Sequence, residues 1–134
     1  APVGRLDVDT TGLLILSSFG PLVKKVIGPD TTVEKEYVVK VSSPPSEDQL
    51  QKLRAGGMII DNRKISPAKA RWNDKTQRLH LILIEGKKRQ VRKMCEAVGL
   101  EVMALKRIRI GNITLKGLRS SQWRYITQQE MDQL

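Results

Sequence analysis

Two acids, Asp7 and Asp9, stand beside Arg5 on the short segment Gly4-Arg5-Leu6-Asp7-Val8-Asp9-Thr10-Thr11-Gly12, which runs into the unbroken apolar stretch Leu13-Leu14-Ile15-Leu16. Bounded by Gly12 and Ser17-Ser18, that stretch reads as a strand buried on both faces. A carboxylate at the mouth of such a strand is desolvated and held rigid, and a catalytic carboxylate needs both. The same residues also fit a structural role, in which Asp7 or Asp9 caps a turn by accepting from a nearby backbone N–H. Spacing alone leaves both open.

The elements that must position this segment follow from hydrophobic periodicity. Pro21 opens a short helix with Leu22, Val23, Val26 and Ile27 inward, ended by Gly28-Pro29-Asp30. Residues 35–41 alternate as a strand, with Tyr37, Val39 and Val41 on one face and Glu36, Val38 and Lys40 on the other. Ser46-x-x-Gln49 has the form of a capping box and starts a helix through Leu50 and Leu53, closed by Gly56-Gly57. Residues 58–60 form a short strand, and residues 65–72 are irregular or a second short strand that Pro67 places at a sheet edge. Residues 77–85 form the longest strand, apolar on both faces and therefore central. Residues 90–98 form the clearest helix, with Val91, Met94, Cys95 and Val98 on one side and Gly99 as its stop. Residues 101–110 form a strand on which Arg107 and Arg109 point the same way. Residues 123–126 form a last strand before the capping box Thr127-x-x-Glu130 and a terminal helix. This mixed order predicts one α+β domain over residues 1–134, with a mixed, mostly antiparallel sheet and flanking helices.

Composition narrows the function. Lys and Arg number 24 against 14 Asp and Glu, a formal charge of +10 that attracts polyanions, nucleic acid first and anionic membrane second. No apolar run approaches the roughly 20 residues a membrane helix needs, and no secretory leader is visible. The single Cys95 excludes an intramolecular disulfide and a Cys-based zinc site, and the single His80, inside an alternating strand, argues against a His-rich metal site or a Ser-His-Asp apparatus. No metal is expected.

Gly4-Arg5-Leu6-Asp7, two residues, then Thr10-Thr11-Gly12-Leu13-Leu14 resembles the catalytic motif of RNA pseudouridine synthases of the RsuA/RluB/RluF type. Three further stretches resemble the same family, in its order: Glu34-Lys35-Glu36-Tyr37-Val38-Val39-Lys40-Val41, Glu85-Gly86-Lys87-Lys88-Arg89-Gln90-Val91-Arg92-Lys93-Met94, and Lys106-Arg107-Ile108-Arg109-Ile110-Gly111. The resemblance implies the pseudouridine synthase catalytic-domain fold and isomerisation of uridine to pseudouridine in a stem-loop of ribosomal RNA, of the large subunit by its nearest likenesses. It further implies no cofactor, a monomer, and a site of action in the cytoplasm or in a plastid or mitochondrion. In the family an Asn-Lys-Pro-x-Gly strand and usually a small basic RNA-binding domain precede the motif. The chain opens at Ala1-Pro2-Val3, so a catalytic domain truncated at its N-terminus is the expectation.

The resemblance also assigns roles. Asp7 is the catalytic carboxylate, attacking or stabilising the ribose or base. Arg92 holds Asp7, for which a planar guanidinium fork suits a carboxylate. Tyr37 stacks on the target uracil, its hydroxyl accepting or relaying the C5 proton. Arg5 props the gap left by a flipped-out uridine. Lys87, Lys88, Arg89, Lys93, Arg107 and Arg109 contact the RNA backbone. From the residues alone, Arg92 reads as a solvated arginine on an amphipathic helix, Tyr37 as a core tyrosine and Arg5 as a partner of Asp9; the resemblance is what turns them to function. The rival function is a non-catalytic basic RNA-binding module on the same face.

Overall fold

The computed structural model describes residues 1–134. In chain order it contains β1 (Pro2–Val3), β2 (Thr11–Gly12), β3 (Ile15–Leu16), α1 (Gly20–Ile27), β4 (Lys35–Val41), α2 (Glu47–Ala55), β5 (Ile59–Ile60), β6 (Arg63–Lys64), β7 (Lys69–Asn73), β8 (Arg78–Leu83), α3 (Gln90–Ala97), β9 (Val102–Ile110), β10 (Ile113–Thr114) and α4 (Gln128–Asp132). The main sheet runs β10-β9-β4-β8-β7, all antiparallel, with β2 added parallel to β9. The mixed, mostly antiparallel α+β architecture is as the periodicity predicts.

Alternation builds the centre. On β4, Val39 and Val41 turn inward against Leu79, Leu81 and Leu83 of β8 and Leu105 of β9, and α2 and α3 cover them with Leu50, Leu53, Val91, Met94 and Cys95. Burying each such leucine contributes roughly 2 kcal/mol of transfer free energy. The Cys95 thiol is pushed up to about 12, chiefly by burial, and is inert as a nucleophile. A second core joins Val3, Leu13 and Ile15 to Leu22 and Val26 of α1 and to Ile110 and Ile113.

Four sequence expectations change. Residues 77–85 do not form the longest strand: β8 keeps 6 residues, and β9, with 9, is longer. The stretch 13–16 is not one strand buried on both faces. Only Ile15 and Leu16 are strand, in β3 on β1, while Leu13 and Leu14 link β2 to β3; the stretch alternates, with Leu13 and Ile15 buried and Leu14 and Leu16 exposed. Ile27 is also half exposed rather than inward. No strand forms at residues 123–126, where Trp123 and Tyr125 lie exposed and meet edge to face at 5.3 Å.

That C-terminal segment is held by ion pairing instead. Glu130 is almost fully buried, and Arg124 grips it through both terminal nitrogens at 2.8 Å while also donating to the Thr114 carbonyl at 3.0 Å. The Thr127–Glu130 capping box closes around the same carboxylate. Arg124 first, against desolvation, holds the Glu130 carboxyl well below its usual range. A depressed carboxylate stabilises the fold above its ordinary value of 4.5 and progressively less as pH falls toward its folded value. Glu130→Ala strands Arg124 and is expected to cost about 2 kcal/mol near neutral pH, measured by urea unfolding, with the deficit shrinking below pH 4.5.

Candidate active site

The first motif is fastened to β9 by main chain. Thr11 and Gly12 lie opposite Lys106 and Arg107. A Cβ on Gly12 would fall 2.0 Å from the Arg107 carbonyl oxygen, so only glycine permits this approach. Leu13 N–H donates to that carbonyl at 2.8 Å, and Arg107 Nε returns a bond to the Leu13 carbonyl at 3.0 Å. Ahead of this fastening, Thr10 N–H donates to the Asp7 carbonyl at 2.9 Å, so main chain closes the turn and leaves the Asp7 carboxylate free of capping duty.

A cavity of about 530 Å³ opens where the two cores meet. The 4–7 loop, the end of α1, Lys35 and Tyr37 of β4, residues 83–91 and Arg107 line it. Asp7 reaches it with its side chain 32% exposed, and its one ion-pair partner is Arg89, at 3.9 Å. Tyr37 lies on the inner face of β4, opposite Leu81 and Arg107. Arg5 is exposed at the rim and pairs with neither Asp7 nor Asp9. Lys87 and Lys88 stand exposed beside it. Asp7, Tyr37, Arg5, Lys87, Lys88 and Arg89 thus share one cavity, although they come from three separate parts of the chain.

Arg92 lies elsewhere. It is buried and donates through Nη2 to the Asp9 carbonyl at 2.5 Å, with Nε 3.4 Å from the Asp9 carboxylate. The expected Arg92–Asp7 pair is therefore replaced by an Arg92–Asp9 pair. Asp9 is also gripped by Arg89, whose two terminal nitrogens donate to its two oxygens at 2.9 and 3.0 Å. The Arg89 bond is the main reason that the Asp9 carboxyl lies below its usual range. Arg89 makes this contact from a left-handed backbone, φ 54°, at the start of α3. It is a clamp on the motif loop rather than a free RNA-backbone contact.

Arg107 and Arg109 do not point the same way. The β4–β9 register shifts between Glu36 and Tyr37, so Arg109 faces Glu36 and Arg107 faces Tyr37, on opposite sides of the sheet. Arg109 is consumed by Glu36 at 3.0 Å, Glu34 at 3.3 Å and the Gly111 carbonyl at 2.7 Å. Arg107 is buried and cannot serve as a surface contact. Lys93 pairs with Asp61, outside the cavity.

Lys35 is the site residue that sequence reasoning passed over. It is buried, lines the cavity, and donates to the carbonyls of Val26 at 2.6 Å and Ile84 at 3.1 Å. Burial, with Arg107 nearby, lowers its ammonium to about 8. The signal was present: Lys35 stands two residues before Tyr37, on the strand face otherwise given to apolar residues. Around the cavity, six cationic side chains meet two carboxylates, Asp7 and Glu85, so the site is built for an anionic ligand.

A carboxylate and a tyrosine in a basic cleft of an α+β sheet accord with the family whose profile, described as RNA pseudouridylate synthase, matches residues 1–97. A solved structure described as a pseudouridylate synthase superposes with a TM-score of 0.89 at 30% identity, covering 98% of this chain and 58% of that one. The chain belongs to the RNA pseudouridylate synthase family. Its relatives place it in the RsuA/RluB/RluF group: it is 38% identical over 99% of its length to ribosomal large subunit pseudouridine synthase B of Bacillus subtilis, and 36% identical over 97% to dual-specificity RNA pseudouridine synthase RluF of Escherichia coli. It spans 56% and 44% of those two proteins.

Proposed function

We propose that this chain carries the catalytic centre of an enzyme that isomerises uridine to pseudouridine in ribosomal RNA, with the large subunit as its target. The observation that carries the reading is the convergence of Asp7 and Tyr37 on one cationic cavity. The activities named for the two relatives support the same chemistry. A uridine turned out of the RNA enters the cavity, at an unstacking cost of a few kcal/mol. Asp7 attacks C1′, and the N1–C1′ electron pair leaves with the base. The base turns, C5 attacks C1′ and expels the Asp7 carboxylate. The C5 proton passes by way of the Tyr37 hydroxyl to N1, so atoms, charge and oxidation state balance. Arg5, unpaired at the rim, fills the vacated stack, and Lys87 and Lys88 engage phosphates. The enzyme acts as a monomer, without a cofactor, in the cytoplasm or an organelle.

Tritium release from C5-tritiated ribosomal RNA tests this, comparing the 134-residue chain with a form extended at its N-terminus. Release by either form is the expected result. Binding of RNA by both forms with no release from any ribosomal RNA would move the reading to a non-catalytic RNA-binding module.

A further inference from the structure

Two buried cations meet the cavity with no carboxylate assigned to them. Lys35 Nζ spends two of its three N–H bonds on the Val26 and Ile84 carbonyls, which carry no net charge to oppose its own. Arg107 spends Nε on the Leu13 carbonyl, while its Nη2 is buried without any partner. A desolvated cation with an unmet donor costs stability. Here two stand together, and Tyr37 adjoins both: Lys35 precedes it by two residues on the same strand face, and Arg107 is its cross-strand neighbour. The other charged groups around the cavity do not neutralise this pair. Asp7 and Arg5 come from the first loop, and Asp7 turns toward Arg89. Glu85 is spent on Ser66 N–H and on Gln90. Lys87 and Lys88 add only positive charge.

Resting on the isomerase reading above, we propose that Lys35 Nζ and Arg107 Nη2 are further catalytic groups, which bind the carbonyl oxygens of the uracil and stabilise the negative charge it carries when N1–C1′ breaks. In that step the glycosidic pair departs with N1, and the charge spreads over N1, O2 and O4. A base stacked on Tyr37 presents its edge oxygens to the two cations that adjoin the ring in the same cavity. Buried in the cavity, these cations act in a lower effective dielectric than the exposed lysines of the rim and need no reorganisation as the charge develops. The charge is transient: attack by C5 on C1′ and arrival of the proton at N1 restore a neutral base, and both cations are left as they began.

The experiment uses whichever form of the protein releases tritium, in single turnover with saturating C5-tritiated ribosomal RNA. Lys35→Met is expected to slow release by about 100-fold while the RNA dissociation constant stays within about twofold, because the group meets the base and not the backbone. The parent's rate should fall as pH rises through about 8, where Lys35 loses its proton. Lys35→Arg, which keeps its charge, should hold its rate through that range. Parental release by Lys35→Met, or loss of rate matched by loss of RNA affinity, overturns the proposal. So does a Lys35→Arg profile with an unmoved alkaline limb, and that profile decides the matter if Lys35→Met fails to fold. A parent that releases no tritium overturns the isomerase reading as well, whereas an active parent indifferent to Lys35 overturns this proposal alone.

Discussion

Asp7→Asn is expected to abolish tritium release, by at least about 10⁴-fold in single turnover, and to leave RNA affinity intact. The substitution keeps the shape and removes the charge. An amide is a poor nucleophile toward C1′, and no other free carboxylate lines the cavity, because Glu85 is bonded to the Ser66 N–H and Gln90. Stability should change by no more than about 0.5 kcal/mol, since Asp7 makes one long contact, 3.9 Å to Arg89, and the turn beneath it is closed by its main-chain carbonyl. RNA affinity should hold or rise slightly, one negative charge having left a basic surface. A filter-binding titration beside the release assay separates the two effects. Full turnover by the asparagine variant would remove Asp7 from the chemistry and leave the cavity as an RNA-binding surface.

Much of the scaffold was legible because it rests on local rules. The alternation of β4 and β8, the helical spacing of Val91, Met94 and Cys95, and both capping boxes appear where periodicity and side-chain chemistry place them. What escaped depends on register. A one-residue irregularity opposite Glu36 and Tyr37 sends Arg107 inward and leaves Arg109 on the outer face, and strict alternation cannot reveal it. The 13–16 stretch was misjudged because apolar residues in sequence do not say which will find a cover; Leu14 and Leu16 find none. In the site, Asp7, Tyr37 and Arg5 came from the family likeness, and the structure brings them to one cavity. Lys35 was visible as a lysine on an apolar strand face, a local inconsistency of the kind that marks functional positions.

The Arg92–Asp9 pairing carries its own consequence. Arg92 and Arg89 both hold Asp9, two residues beyond Asp7, so between them they fix where the Asp7 carboxylate stands. Arg92→Met should slow tritium release by about 100-fold through misplacement of Asp7 and destabilise the fold by about 1 kcal/mol, since the partly buried hydrogen bond to the Asp9 carbonyl is lost. Arg92→Lys should not rescue either effect, because Arg92 reaches the Asp9 carbonyl through Nη2 and its carboxylate through Nε, and a single nitrogen does not reproduce those two separated, coplanar donors. A double-mutant cycle with Asp9→Asn discriminates between two routes. If Arg92 acts through Asp9, Asp9→Asn alone slows the reaction, and the pair couples by roughly 1 kcal/mol or more in the activation free energy. If Arg92 instead moves onto Asp7 when RNA enters, Asp9→Asn is nearly silent and the two changes add. The resting geometry, with Arg92 2.5 Å from the Asp9 carbonyl and no pair to Asp7, predicts the coupled result.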